Sequence, residues 1–181
     1  RTNTATTTAT FSVEAVGGEP LTYLWRKNGS NLSDAGNVSG SATATLTLTN
    51  VLGADAGDYT VMIGNSSGSR TSIVARLTVL DPYISSGMVT PWVVQNLPDP
   101  ANRLMVGISP VGTQPLTIQW RRNGQIIPGA TTASLVISNA QFSDSGKYEG
   151  IASNSYGSFT NPFLLQVIVV PSRPEAALNP G

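Results

Sequence analysis

The chain has neither cysteine nor histidine in its 181 residues. Without them, Ser-His and Cys-His nucleophile pairs cannot be assembled, and the usual nitrogen and sulfur ligands for zinc are missing. No Asp-rich loop of EF-hand type replaces them, so no catalytic group, cofactor or metal site is expected. Charge is also sparse: charged residues make up 11%, ten basic against ten acidic. That balance removes the electrostatic case for binding nucleic acid or an anionic membrane. No apolar run reaches the roughly 18 residues of a membrane span, and no signal-peptide pattern is visible. The lack of cysteine leaves the compartment open.

What is there is a repeat. Leu46 to Asn65 reads LTLTNVLGADAGDYTVMIGN, and Leu135 to Asn154 reads LVISNAQFSDSGKYEGIASN. Superposition aligns Asp55 with Asp144, Gly57 with Gly146, Tyr59 with Tyr148 and Asn65 with Asn154. Upstream, PLTYLWRKNG carries Trp25 and PLTIQWRRNG carries Trp120. One module is used twice. Leu46 and Leu48 alternate with Thr45 and Thr47, the period of a half-buried strand, and Leu135 and Ile137 repeat the spacing in the second copy. After a polar corner, Tyr59, Val61 and Ile63 alternate inward, as do Tyr148, Gly150 and Ala152. In the Asp-x-Gly-x-Tyr corner, Gly supplies backbone freedom and Asp holds the turn through backbone hydrogen bonds. The Tyr buries its ring while its hydroxyl reaches a backbone group upstream.

Trp25 with Asp55-Gly57-Tyr59, and Trp120 with Asp144-Gly146-Tyr148, resemble immunoglobulin domains, specifically the intermediate-set type common in bacterial surface proteins. The resemblance covers nearly the whole chain and implies an all-β fold of two Greek-key sandwiches in tandem. It places each Trp on strand C and each Tyr at the corner before strand F. The cysteine positions of that family fall on Val13 and Val61 in the first copy, and on Ile108 and Gly150 in the second. Loss of such a disulfide costs a small domain about 2–5 kcal/mol; a Val–Val contact recovers part of it. Ile facing Gly fills less, so the second core is expected to lean on Trp120.

The expected domains are 1–80, 81–170, and a Pro-rich tail or linker, 171–181. The link at Leu80-Asp81-Pro82 is short and stiffened by Pro, which predicts domains in line. Residues 31–41 read as a loop, and 73–79 as strand G. The first copy lacks a counterpart to the segment 84–96 and is expected to be short of its strand A, through truncation or because the strand is supplied in trans.

Several polar residues need a structural reading beside the chemical one. Asp55 with Asp58 has the form of a carboxylate pair, but belongs to the corner motif. Asp81 and Asp99 could share calcium, but each precedes a Pro and reads as a solvated turn residue. Lys27 and Lys147, the two lysines available for a Lys–Asn crosslink, both read as solvated. The triplets starting at Asn28, Asn31, Asn37 and Asn65 match the glycosylation pattern; in a Ser- and Asn-rich bacterial chain such matches are expected by chance.

Strand alternation puts Leu24 and Met62 on one outward face, with Ile151 beside Gln119 at the matching place in the second copy. Trp92, Tyr156 and Phe159 are the other exposed-aromatic candidates. Scattered surface apolars need no explanation; a shared face would. The leading expectation is a non-enzymatic, structural or adhesive module of a larger bacterial surface or secreted protein, extracellular or at the cell surface, its partner a protein or polysaccharide surface. One competing reading is a carbohydrate-binding accessory unit of a polysaccharide-degrading enzyme, with Trp92, Tyr156 and Phe159 as a stacking platform. The other is a fibre subunit assembled by strand exchange, in which residues 167–181 complete the open edge of the first domain.

Overall fold

A computed structural model describes residues 1–88, 92–95 and 103–169, with the backbone alone at 88, 92–95 and 169. The tail 171–181 and Asp99 lie outside the described residues. The fold is nearly all β, as the alternation predicts. In the first copy the strands are β1 (Thr2–Thr4), β2 (Ala9–Ser12), β3 (Thr22–Lys27), β4 (Ser30–Asn31), β5 (Val38–Ser39), β6 (Thr45–Leu48), β7 (Gly57–Asn65), β8 (Gly68–Thr71) and β9 (Ala75–Leu80). In the second they are β10 (Tyr83–Met88), β11 (Trp92–Gln95), β12 (Leu104–Val111), β13 (Thr117–Arg122), β14 (Gln125–Ile126), β15 (Ser134–Ile137), β16 (Gly146–Asn154) and β17 (Gly157–Val169).

The two sheets of the first sandwich run β1-β9-β7-β3-β4, with β8 also on β7, and β2-β6-β5. Those of the second run β11-β17-β16-β13-β14 and β10-β12-β15. By contacts, Arg1–Ser85 groups with Pro110–Thr117 and Ala152–Phe159 in one compact unit, and the rest of the chain forms another.

Both corners are built alike. A 3-10 turn, Gly53–Asp55 or Phe142–Asp144, precedes β7 or β16. The Asp55 carboxylate accepts the Leu52 N–H at 2.8 Å and that of Asp144 accepts the Gln141 N–H at 2.9 Å. The Tyr59 hydroxyl donates to the Asp55 carbonyl at 2.7 Å, and the Tyr148 hydroxyl to the Asp144 carbonyl at 2.9 Å. Burial, then the Asp55 charge, pushes the Tyr59 hydroxyl up to about 12. The Gly of the motif has a reason beyond its torsion. The Asn28 side chain, held in the Asn-Gly hairpin turn, accepts the Asp58 N–H at 2.9 Å, and a Cβ on Gly57 would sit 2.8 Å from its Oδ1. Asn123 repeats this against Lys147 N–H and Gly146.

Each core turns on its Trp. Trp25 is 3% exposed and Trp120 0%, and their indoles donate to the carbonyls of Thr43 and Thr132 at 2.9 and 2.8 Å. The third ring of the cluster comes from a different strand in each copy. In the first, Phe11 on β2 stacks on Tyr59 at 4.8 Å and tilts against Trp25 at 6.2 Å. In the second, Phe163 on β17 stacks on Tyr148 at 5.7 Å and meets Trp120 edge-on at 6.1 Å. Strand G differs accordingly. β17 is continuous over 13 residues, whereas the first copy breaks between β8 and β9. Ser72 bridges the gap, its N–H donating to the Val61 carbonyl and its hydroxyl accepting the Val61 N–H. Ile73 and Val74 are expelled to solvent at 91% and 58% exposure, so the strand expected over 73–79 begins at Ala75.

At the positions of the missing disulfides, Val61 is buried and Val13 half-buried against the same core. Ile108 and Gly150 touch: a Cβ added at Gly150 would meet Ile108 Cγ2 at 2.9 Å and Trp120 Cζ3 at 3.1 Å. Glycine here makes room for Ile108 and the indole, so Gly150→Ala is an overpacking change. It should cost about 1–3 kcal/mol, and Ile108→Val in the same chain should return part of that. A two-by-two urea-unfolding cycle checks it; additive costs would show that the two side chains do not compete for the space.

The segment 31–41 is more ordered than a loop. It contains β5, which pairs with β6 through Val38↔Leu48 and Ser39↔Thr47. Asp34 closes its end, accepting the N–H groups of Ser41 at 2.7 Å and Gly40 at 3.1 Å. The bonds from Ser41 foremost, then Gly40, hold its carboxyl below the usual range.

The residues that open the first copy form a strand on the other sheet. β1 is a strand, pairing in parallel with β9 through Thr2↔Thr78, Asn3↔Val79 and Thr4↔Leu80. No strand among the described residues pairs with the outer edge of β2, where β10 pairs with β12 in the second copy. That edge is capped by side chains: Arg1 Nη1 donates to the Thr10 carbonyl at 2.7 Å, and Asn3 Nδ2 to the Thr8 carbonyl at 2.9 Å. Two acceptors that a donated strand would need are therefore occupied.

Candidate interaction face of the first sandwich

The corner carboxylates are engaged in holding the turn that precedes each strand. Asp55 Oδ2 accepts both the Leu52 N–H and the Asn37 amide, the latter at 3.1 Å. Asp58 lies on the surface with Arg76 at 3.6 Å. Among the described residues no group of three acidic, His or Cys side chains is placed to hold a metal ion, and no helix is long and apolar enough to cross a membrane.

Two solvated assignments need correcting. Lys27 Nζ donates to the Ala54 carbonyl and ties down the 3-10 turn. Arg122, its counterpart, reaches the Ser143 carbonyl and pairs with Asp144 at 3.2 Å. Both are long cations two residues beyond the Trp, where carbonyls of a tight turn need donors. Lys147 stays at the surface but pairs with Glu149 at 2.6 Å. Asp81 is the larger departure, at 7% exposure. Its carboxylate accepts the Gly53 N–H (2.7 Å), the Thr113 N–H and hydroxyl (2.9 and 2.6 Å) and the Asn154 amide (2.7 Å). Burial pushes the Asp81 carboxyl up, but these donors together outweigh it and hold it below the usual carboxylate range.

The aromatic candidates are occupied elsewhere. The Tyr156 ring lies over Gly53, leaving no space for a Cβ there, although the residue is 51% exposed. Phe159 packs edge-on against Tyr83 at 4.9 Å. The Trp92 side chain lies outside the described residues.

Leu24 and Met62 are brought together. They are paired residues of β3 and β7, flanked by Tyr23↔Ile63 and Trp25↔Val61. Because Trp25 and Val61 point into the core, the alternation turns Leu24 and Met62 outward, where both are half-buried. Arg26 lies beside them, its Nη2 3.8 Å from Met62 Sδ. Beyond them the face drops. Gly64 has no side chain, and Thr22, opposite, folds its hydroxyl onto the Gly64 carbonyl at 3.0 Å. The result is a groove of about 780 Å³ lined by Thr22, Leu24, Met62, Gly64 and Ser69, with no charged residue on its walls. In the second copy Ile151 is half-buried, but Gln119 folds back to donate to the carbonyls of Trp120 and Ile127 at 2.8 and 3.0 Å. The groove was not legible in the sequence; its signal is a pair of glycines, 64 and 68, on a face where neighbours carry side chains.

Such a face offers apolar side chains and hydroxyls without a charged group. It can bind by burying apolar surface next to hydroxyls and amides, and its neutrality suits an uncharged partner surface. Comparison with known proteins matches the model of the immunoglobulin I-set domain twice, over residues 2–79 and 103–167. The muscle M-line assembly protein unc-89 of Caenorhabditis elegans is 32% identical over 177 residues, covering 88% of this chain and 2% of its own length. Hemicentin-1 of Mus musculus is 28% identical over 167 residues, with 88% and 3% covered. The chain thus spans a few per cent of the length of these relatives. Among solved structures, the I67–I69 fragment of the titin I-band is similar at 24% identity and a TM-score of 0.45, covering 93% of this chain and 62% of that one.

Proposed function

Because the chain belongs to the immunoglobulin I-set domain family, which it carries twice, we propose that it is a non-enzymatic structural or adhesive module of a larger extracellular protein. Its partner is a protein surface, met on the Leu24–Met62 face of the first sandwich. The observation that carries this is the registered pair of outward apolar residues beside an uncharged groove. Burying one such side chain fully yields about 1.5–3 kcal/mol, so two form a useful anchor. The assembly named in unc-89 is in keeping with a structural role. The extracellular location rests on the neutral Thr-, Ser- and Asn-rich surface, and a bacterial source only on the disulfide-free core, since the relatives named above are animal proteins. Absence of histidine and cysteine supports the non-enzymatic reading.

Leu24→Glu with Met62→Glu tests the face. The double variant should keep its urea midpoint and lose at least about tenfold in affinity for matrix glycoproteins that the unaltered chain binds on a biosensor, the scale of a hot-spot loss. Undiminished binding by the variant, or binding by the unaltered chain to polysaccharides alone, would overturn the reading. Location is tested separately, by antibody staining of parent cells before and after permeabilisation; labelling only after permeabilisation would refute an extracellular site.

A further inference from the structure

We propose that Asn31 carries an N-linked glycan, with a lipid-pyrophosphate-linked oligosaccharide as donor, an inference that rests on the extracellular reading above. Four Asn-x-Ser triplets occur in the chain, all between residues 28 and 67, and the sequence pattern ranks none above the others. The fold separates them by what each amide nitrogen is already doing.

Asn37 is half-buried, and its Nδ2 donates to the Asp55 carboxylate at 3.1 Å, inside the corner that holds the first core. Asn65 is half-buried too; its Nδ2 donates to the Gly18 carbonyl and its Oδ1 accepts the Ser67 N–H, both at 2.9 Å. Asn28 is fixed in the hairpin turn at φ 49°, with its amide so close to the backbone of Gly57 that a Cβ there would come within 3.0 Å of Nδ2. A sugar on Asn37 or Asn65 would displace a hydrogen bond of the fold, and Asn28, although exposed and with an Nδ2 that donates to nothing among the described residues, would have to carry its sugar against Gly57.

Asn31 meets none of these obstacles. It is exposed and ends β4, beyond which no described strand pairs. Its Oδ1 accepts Arg26 Nε at 2.9 Å, which orients the amide, while Nδ2 donates to nothing among the described residues. Ser33, whose hydroxyl the transfer requires, is exposed two residues on, in a stretch without regular structure. In the transfer, Nδ2 bonds to C1 of the donor sugar as the C1–O bond to the lipid pyrophosphate breaks; one amide proton is lost and the lipid pyrophosphate leaves. The product keeps one N–H and the Oδ1–Arg26 bond. A glycan there also covers the β4 edge, a place where an unpaired strand invites unwanted addition, and it borders the Leu24–Met62 face through Arg26.

The experiment is secretion of residues 1–181 from a mammalian line behind a cleavable signal, followed by enzymatic glycan release in ¹⁸O-water, which converts each occupied Asn to labelled Asp. Peptide mapping should find the label on Asn31 in most molecules and on Asn28, Asn37 and Asn65 in few. Ser33→Ala should remove the glycan with Asn31 still in place, and Asn31→Gln should remove it with an unchanged urea midpoint. Secreted protein with Asn31 unlabelled, or with label spread evenly over the four sites, would overturn the assignment. Because the signal is supplied, an empty Asn31 counts against the site itself and leaves the location of the parent protein to the staining experiment.

Discussion

Trp120→Ala should destabilise the chain by about 3–5 kcal/mol, and Trp25→Ala by a similar amount, the range for truncating a buried aromatic. Two losses combine. The indole leaves a cavity under the sheet, and the carbonyl of Thr132 or Thr43 loses its donor. The second copy has less to fill the space with, because Gly150 contributes no side chain where Val61 stands in the first copy. Trp120→Ala should therefore be the larger of the two. Trp→Phe separates the terms: the ring largely refills the site while the hydrogen bond to Thr43 or Thr132, both exposed residues, is still lost, which costs about 0.5–1.5 kcal/mol where water replaces the donor. Urea unfolding followed by far-ultraviolet circular dichroism reads both. A drop below about 1 kcal/mol for Trp120→Ala would show that the core does not pivot on this ring.

Why this prediction can be made from the sequence, and others cannot, follows from the range of the interactions. Trp25, Tyr59 and Val61 announce themselves through alternation and the corner motif, which are local patterns with fixed spacing. Leu24 and Met62 were legible for the same reason. If Trp25 and Val61 face in, their neighbours face out, and the register Leu24↔Met62 follows from Trp25↔Val61. The exchange of Phe11 for Phe163 as the third ring was not legible. It depends on a break in strand G that one Ser72 hydroxyl repairs by standing in for a ladder acceptor. Lys27 read as a solvated lysine because the carbonyl it ties down is 27 residues away. The edge of β2 read as open because nothing in a run of Thr reveals that Arg1 and Asn3 will cap it.

Asp81 is the furthest of these from its sequence reading, and its removal should have the next largest effect. The residue precedes a Pro, where a solvated turn is the ordinary expectation. Instead its two oxygens accept from the Gly53 N–H, from the Thr113 N–H and hydroxyl, and from the Asn154 amide; all these partners belong to the same compact unit. Gly112 keeps the approach open, since a Cβ there would run into the carboxylate. Asp81→Ala leaves these donors without an acceptor, each worth about 1–3 kcal/mol if it stays dry, so a net loss of about 3 kcal/mol is expected after solvent reaches some of them. Asp81→Asn keeps one oxygen and should lose less. The two variants also differ from the unaltered chain in acid. Because the folded carboxyl is held below the unfolded value of about 3.9, its contribution is present in full above that value and fades as the pH falls through it towards the folded one. The stability gap between the unaltered chain and Asp81→Asn should therefore be widest near pH 6 and narrow towards pH 3. Urea midpoints at pH 6, 4.5 and 3 give the comparison. A gap that stays constant across this range would mean that the carboxylate charge is not what the donors around Asp81 recognise.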